Sequence, residues 1–169
     1  MQRIVSENNL PVLAANLTCD GAQPFPASKV VERGGVKLGF VGAYVGALPP
    51  EASSCTVDDP QTAMQAAVAA LGPVDVVMAL GSWDPKQAEA LVGAVPTIDF
   101  VLSASNLTLP EGRALTPNNW LFAPGSRGKK IGLLKGTLVP GASGWQAASP
   151  GSSQADRLDS YRKRLASNQ

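Results

Sequence analysis

Val74-Asp75-Val76-Val77-Met78-Ala79-Leu80-Gly81-Ser82-Trp83-Asp84-Pro85 sets the architecture of the chain. An apolar run of strand length ends in a Gly-Ser turn, and Asp84-Pro85 then supplies a cap and a first helical residue. A buried strand that feeds a helix through a tight turn is the repeating unit of an α/β fold. Thr97-Ile98-Asp99-Phe100-Val101-Leu102-Ser103-Ala104-Ser105-Asn106 offers the strand and its polar end a second time. In open α/β sheets ligands gather at the carboxyl ends of such strands, so chemistry is to be sought around Ser82 and Ser105.

Upstream, Asp59 and Pro60 start a helix whose inward face is Ala63, Met64, Ala67, Val68 and Leu71, and Gly72-Pro73 stops it. Downstream, Ala88, Leu91 and Val92 form the inward face of the helix opened by Asp84-Pro85, with Gly93 at its end. Gln2 to Asn8 reads as a helix end, and Leu10 to Leu17 as a buried strand. Arg33-Gly34-Gly35 joins Lys29–Glu32 to Val36–Val41 as a hairpin. Strands are expected at Ile98–Leu102, Trp120–Ala123 and Lys130–Lys135, with a polar loop from Ser103 to Asn118. The fold class is α/β, a mixed β-sheet with flanking helices. Residues 1–138 form the domain, 139–154 a Gly/Ser/Pro-rich linker, and 155–169 an amphipathic basic tail helix carrying Leu158, Tyr161 and Leu165.

Composition removes several function classes. The chain has 169 residues, 14 Lys plus Arg against 13 Asp plus Glu, and 16% charged residues, so no strong field recruits nucleic acid or an anionic membrane. It contains no histidine, which excludes a Ser-His-Asp triad, a Cys-His pair and any His-bearing metal site built from this chain alone. No stretch reaches the roughly 20 apolar residues of a membrane span, and Met1 to Glu7 lacks the apolar region of a signal peptide. The early entry into core-like sequence suggests a domain entered midway. Cys19 and Cys55 match no zinc or redox spacing; two unpaired core thiols are favoured over a disulfide. Gly39, Gly42 and Gly46 do not have dinucleotide-binding spacing and read as sites of close backbone packing.

Five segments in order carry a family resemblance: Asn9–Leu17, Gly35–Gly42, Val74–Ser82, Ile98–Leu107 and Ala123–Gly132. Together they resemble calcineurin-like metallophosphatases of the 5′-nucleotidase type, over roughly Asn9 to Lys135. The resemblance implies part of an α/β/β/α sandwich whose catalysis rests on two bridged metal ions. The family's first metal-binding motifs do not occur here and would lie before residue 1. Its later histidines fall on Ser82, Ser105 and Leu107, of which leucine cannot ligate and neutral serine ligates poorly. The dinuclear site is therefore expected to be absent, with no metal, no cofactor and no catalytic residue, and Ser82, Ser105 and Leu107 as vestigial positions.

Asp84, Asn106 and Arg127 lie at the favourable strand edge as possible ligand contacts, although Asp84 reads first as a helix cap. Asp75 and Asp99 lie at the opposite edge and read as capping or loop hydrogen-bonding residues. Trp83 reads as a packed tryptophan. Asn16-Leu17-Thr18 and Asn106-Leu107-Thr108 fit the glycosylation pattern, which matters only in a eukaryotic secretory setting. The expectation is a degenerate metallophosphatase-like domain with a binding or scaffolding role. Alternatives are a fragment of a metal-dependent phosphoesterase or nucleotidase with its first motifs upstream, a carboxylate-only Mg²⁺ or Mn²⁺ site, and a structural subunit of a larger bacterial exported assembly. In that last case the C-terminal tail reaches other protein subunits. The resemblance implies a periplasmic or cell-surface setting.

Overall fold

The computed structural model describes residues 2–127, 131–139 and Trp145. Helix α1 (Gln2–Glu7) is followed by strands β1 (Leu17–Cys19), β2 (Ser28–Arg33) and β3 (Val36–Gly42), a 3-10 turn (Pro50–Ala52) and β4 (Cys55–Val57). Then come α2 (Pro60–Ala69), β5 (Val76–Gly81), α3 (Pro85–Ala94), β6 (Phe100–Ser103), β7 (Thr108–Ala114) and β8 (Trp120–Pro124). Six strands form one sheet in the order β2-β3-β5-β6-β8-β7, while β1 and β4 form a separate ribbon. Neighbours among β3, β5, β6 and β8 run parallel, and antiparallel β2 and β7 flank them at the two edges.

Local chemistry explains the expected elements. Gly34 (φ 59°) and Gly35 (φ 79°) occupy a two-residue turn that needs left-handed backbone at both positions, so β2 pairs with β3 without slack. Asp59 accepts the Thr62 N–H at 2.7 Å to cap α2. Asp84 and Gln87 form a reciprocal capping box at the start of α3. Both helices cover the same sheet face, where Val41, Val77, Ala79, Val101 and Leu121 meet Met64, Ala67, Ala88, Leu91 and Val92 in one buried cluster. Gly39 lets α2 approach: a methyl there would come within 2.8 Å of Leu71 Cδ1.

Four expectations are corrected. Leu10 to Leu17 is not a strand; only Leu17–Cys19 is, and it belongs to the ribbon. Pro11 has no N–H to give a ladder, and the stretch makes single bonds instead, Ala14 N–H to Pro26 O at 2.9 Å and Ala15 N–H to Gly42 O at 2.7 Å. The loop Ser103–Asn118 contains β7, an edge strand whose register shifts between Leu109 and Arg113 and which holds Gly112 at φ 73°. That bulge hid the alternation. The partner of β8 is β7, so the expected strand Lys130–Lys135 does not form: residues 131–139 carry no strand, and Lys130 lies outside the described residues. Finally, α3 runs one residue past Gly93, with Val95 as its cap. The linker apart from Val139 and Trp145, and the tail 155–169, also lie outside the described residues.

Candidate functional site at the strand ends

The carboxyl ends of β3, β5, β6 and β8 bring most of the sequence-predicted positions to one edge. Ser82 and Asp84 follow β5, Ser105, Asn106 and Leu107 follow β6, and Arg127 follows β8. Ser82, Asp84, Asn106 and Arg127 are exposed; Ser105 and Leu107 are half-buried. Asp84 is committed to its helix, accepting the Gln87 N–H at 2.8 Å. Arg127 adopts left-handed backbone at φ 65°.

The densest bonding at this edge involves Ser103, which the sequence reading did not single out. Its Oγ donates to the Trp83 carbonyl at 2.6 Å and lies 2.9 Å from Ser105 Oγ. With its one proton committed to the carbonyl, the same oxygen accepts from Ser105, whose N–H reaches it at 3.1 Å. Ala104 N–H bonds Gly81 O at 2.8 Å and closes the loop against β5. The turns after β5 and β6 are thereby tied to each other through neutral groups.

Trp83 fills the space between them. It is 1% exposed, so the packed reading holds. Its indole folds back over Gly81, where a methyl would come within 2.5 Å of Trp83 Nε1 and 3.1 Å of Ala43 O. That buried Nε1 has no hydrogen-bond partner among the described residues. Only glycine admits this ring, which is a physical reason for Gly81 before Ser82.

The ribbon reaches the same edge. Asn16, 1% exposed, donates to Tyr44 O at 2.9 Å and Asp58 O at 3.1 Å, and accepts the Tyr44 N–H at 2.8 Å. It fastens the start of β1 to the segment just beyond β3 and to the end of β4. Asn16 spends its amide on the backbone and is not available as a glycosylation acceptor. Beyond it, Cys19 and Cys55 stand opposite each other and are joined by a disulfide, which corrects the expectation of unpaired thiols. The bonds Asp20 N–H to Ser54 O and Asp58 N–H to Asn16 O bracket the pair by register, so the cysteines occupy a non-hydrogen-bonded position, where side chains approach most closely.

At the amino ends the two strand carboxylates are occupied with backbone. Asp75 accepts the Lys37 N–H at 2.7 Å while its own N–H bonds Lys37 O at 2.9 Å. Asp99 repeats this on Val77, at 2.8 and 3.0 Å, and also accepts the Trp145 indole N–H at 2.7 Å. Buried Asn119, immediately before β8, donates to Ile98 O at 2.5 Å and Pro96 O at 3.1 Å. A cavity of about 620 Å³ lies beside Asp75 and Asp99, and another of about 590 Å³ lies between Val5, Leu10 and Phe25. Neither is lined by a residue of the carboxyl edge.

The donor set does not fit the dinuclear metal centre that the resemblance implies. The three late positions supply two hydroxyls and a hydrocarbon, and among the described residues no group of three or more His, Cys, Asp or Glu side chains could hold an ion. Among the described residues no helix is long and apolar enough to cross a membrane.

No family model and no curated protein matches the chain. Solved structures do. SoxB of Thermus thermophilus, a sulfate thiohydrolase, aligns with TM-score 0.60 and 24% identity over 74% of this chain and 25% of its own. A Staphylococcus aureus protein assigned as a 5′-nucleotidase aligns with TM-score 0.58 and 17% identity, over 70% and 28% respectively. The 5′-nucleotidase of Candida albicans gives TM-score 0.52 and 13% identity over 71% and 25%. The chain thus spans about a quarter of the length of these proteins. At these identities the likeness concerns the fold alone: this chain shares its architecture with part of SoxB and of these two 5′-nucleotidase structures.

Proposed function

We propose that the chain is a degenerate metallophosphatase-like domain, residues 1–138, that binds or scaffolds and does not hydrolyse phosphoesters. One observation carries this reading. The edge where such a fold holds its metals presents Ser82, Ser105 and Leu107, and Trp83 is packed into it at 1% exposure. A water-activating metal needs several charged or imidazole ligands converging on a space that water can enter. Here the converging groups are neutral hydroxyls bonded to each other and to a main-chain carbonyl.

The test combines catalysis with binding. The intact chain is assayed against nucleoside monophosphates and a generic aryl phosphate with Mn²⁺, Mg²⁺ or Zn²⁺, and each ion is titrated by calorimetry. No turnover and no stoichiometric ion binding are expected. Metal-dependent hydrolysis that is lost in Ser82→Ala or Ser105→Ala overturns the proposal.

A second reading is a segment of a metal-dependent phosphoesterase whose first metal-binding motifs lie upstream. It draws on the quarter-length match to larger enzymes. The Cys19–Cys55 disulfide favours an oxidising compartment for either reading, consistent with a periplasmic or cell-surface subunit of an exported assembly. Thiol alkylation of the native protein before and after reduction checks that setting; two reactive thiols before reduction would contradict it.

A further inference from the structure

The β1–β4 ribbon stands outside the core. Its strands are three residues long, and their apolar members Leu17 and Val57 are half-buried and do not belong to the cluster under α2 and α3. No tight turn joins them: Cys19 and Cys55 are 36 positions apart, with the β2–β3 hairpin between them. A two-stranded ribbon left to itself is marginal in water. Beyond its short ladder, this one is fastened at its two ends by different means. At one end the buried Asn16 amide bonds Tyr44 and the Asp58 carbonyl, and Asp58 N–H bonds Asn16 O. At the other end is the disulfide, followed by the bond from Asp20 N–H to Ser54 O.

The disulfide end faces outward. Cys19 and Cys55 are half-buried, and Asp20, Gly21, Ser54 and Thr56 beside them are exposed. Disulfides at exposed positions are the ones that exchange readily with thiols, whereas those sealed in a core resist reduction. Opening this bond removes the covalent tie between the strands and takes nothing from the buried cluster. It does reach the strand-end edge. Asn16 holds Tyr44, and Tyr44 adjoins Ala43, whose N–H bonds Leu80 O at 3.0 Å. The Ala43 carbonyl in turn lies against Gly81, under the Trp83 indole.

We propose that Cys19–Cys55 is a redox-operated clasp: a dithiol opens it in the folded chain and frees the ribbon from the strand-end edge, while the six-stranded sheet stays formed. The exchange balances in two displacements. One thiolate of the dithiol attacks a cysteine sulfur, forms a mixed disulfide and expels the other cysteine as thiolate. The second thiol of the reductant then displaces the remaining cysteine. The dithiol leaves as its own disulfide, having given two electrons, and its two protons end on Cys19 and Cys55. The inference does not depend on whether the strand-end site is degenerate.

The experiment treats the intact chain with dithiothreitol in the absence of denaturant, follows thiol release by alkylation and mass, and reads amide hydrogen exchange in both states. Reduction is expected to quicken in proportion to the dithiol concentration, as direct attack on the folded chain requires. The ribbon amides of Asp20, Tyr44 and Asp58 should then exchange about 100-fold faster than in the oxidised chain, with those of Ala79 and Val101 in the sheet still far slower than the ribbon. Oxidised dithiothreitol should restore both the bond and the protection. The double variant Cys19→Ser/Cys55→Ser should show the open pattern without any dithiol. No reduction without denaturant overturns the proposal, as does a rate independent of dithiol concentration, which would mean that the chain must unfold first. Ribbon amides that stay protected after reduction, or sheet amides that lose protection along with them, overturn it equally.

Discussion

The two ends of the same parallel strands have divided their labour in an unexpected way. At the amino ends, where α/β sheets do not hold ligands, stand the carboxylates Asp75 and Asp99, each fastened to the backbone of the preceding strand. At the carboxyl ends, where ligands are expected, stand Ser82, Ser103 and Ser105 around a buried indole. The strand carboxylates organise the sheet, while at the carboxyl ends Asp84 is committed to capping α3 and the groups bonded to one another are neutral hydroxyls. A carboxylate in a strand motif is therefore no guide to a site until its backbone partners are known.

Several substitutions would break or sharpen that contrast. The largest effect is expected at the carboxyl end, from the ribbon. Reducing Cys19–Cys55, or replacing both with serine, opens a loop of 36 residues and should cost about 3–4 kcal/mol by loop entropy, read as a lower urea midpoint. Next is Asp99→Ala at the amino end, which removes the acceptor for both Val77 N–H and Trp145 Nε1–H. A loss of about 2–3 kcal/mol is expected, with a change in tryptophan fluorescence as Trp145 detaches. A loss under about 0.5 kcal/mol would show that the carboxylate does not organise the sheet.

Ser103→Ala should cost about 1–2 kcal/mol, because the Trp83 carbonyl loses its buried donor; equilibrium unfolding measures it. Asp84→Ala removes a capping box and should cost about 1 kcal/mol by the same measurement, with no change in any binding activity. The smallest expected effect concerns Asp59, whose carboxyl the Thr62 backbone and hydroxyl hydrogen bonds hold below its ordinary value of 3.8. A depressed folded-state value means a contribution present above the unfolded value and lost as pH falls through the folded one. Asp59→Asn should therefore flatten the fall of unfolding temperature below about pH 4, and leave the neutral-pH slope unchanged.

Much of the sheet was legible because its signals are local. Asp59-Pro60 and Asp84-Pro85 announce their helices by cap chemistry, and Gly34-Gly35 announces a turn that few other residues permit. Strand β7 was not legible, since Pro110, Gly112 and a register shift erase the alternation that marks a strand. Lys130–Lys135 has strand-like residues, but a strand also needs a neighbour, and β8 had already taken β7. The disulfide depends on the register of β1 against β4 across 36 residues, which no spacing rule encodes. At the site, Ser82, Ser105 and Leu107 were singled out through the family resemblance, whereas Ser103 and the folded-back Trp83 depend on how two turns meet in space.

The residue just before each of β5, β6 and β8 reaches back to the strand already in place: Asp75 to Lys37, Asp99 to Val77, Asn119 to Ile98. These contacts work as successive keyed joints, each locating the next strand against the last. Each joint fixes the register of its own strand against the neighbouring one. Changes in helix length between the joints can be absorbed by the connecting turns. Deleting one residue within a strand cannot be, because it would turn the side chains beyond the deletion to the opposite face of the sheet.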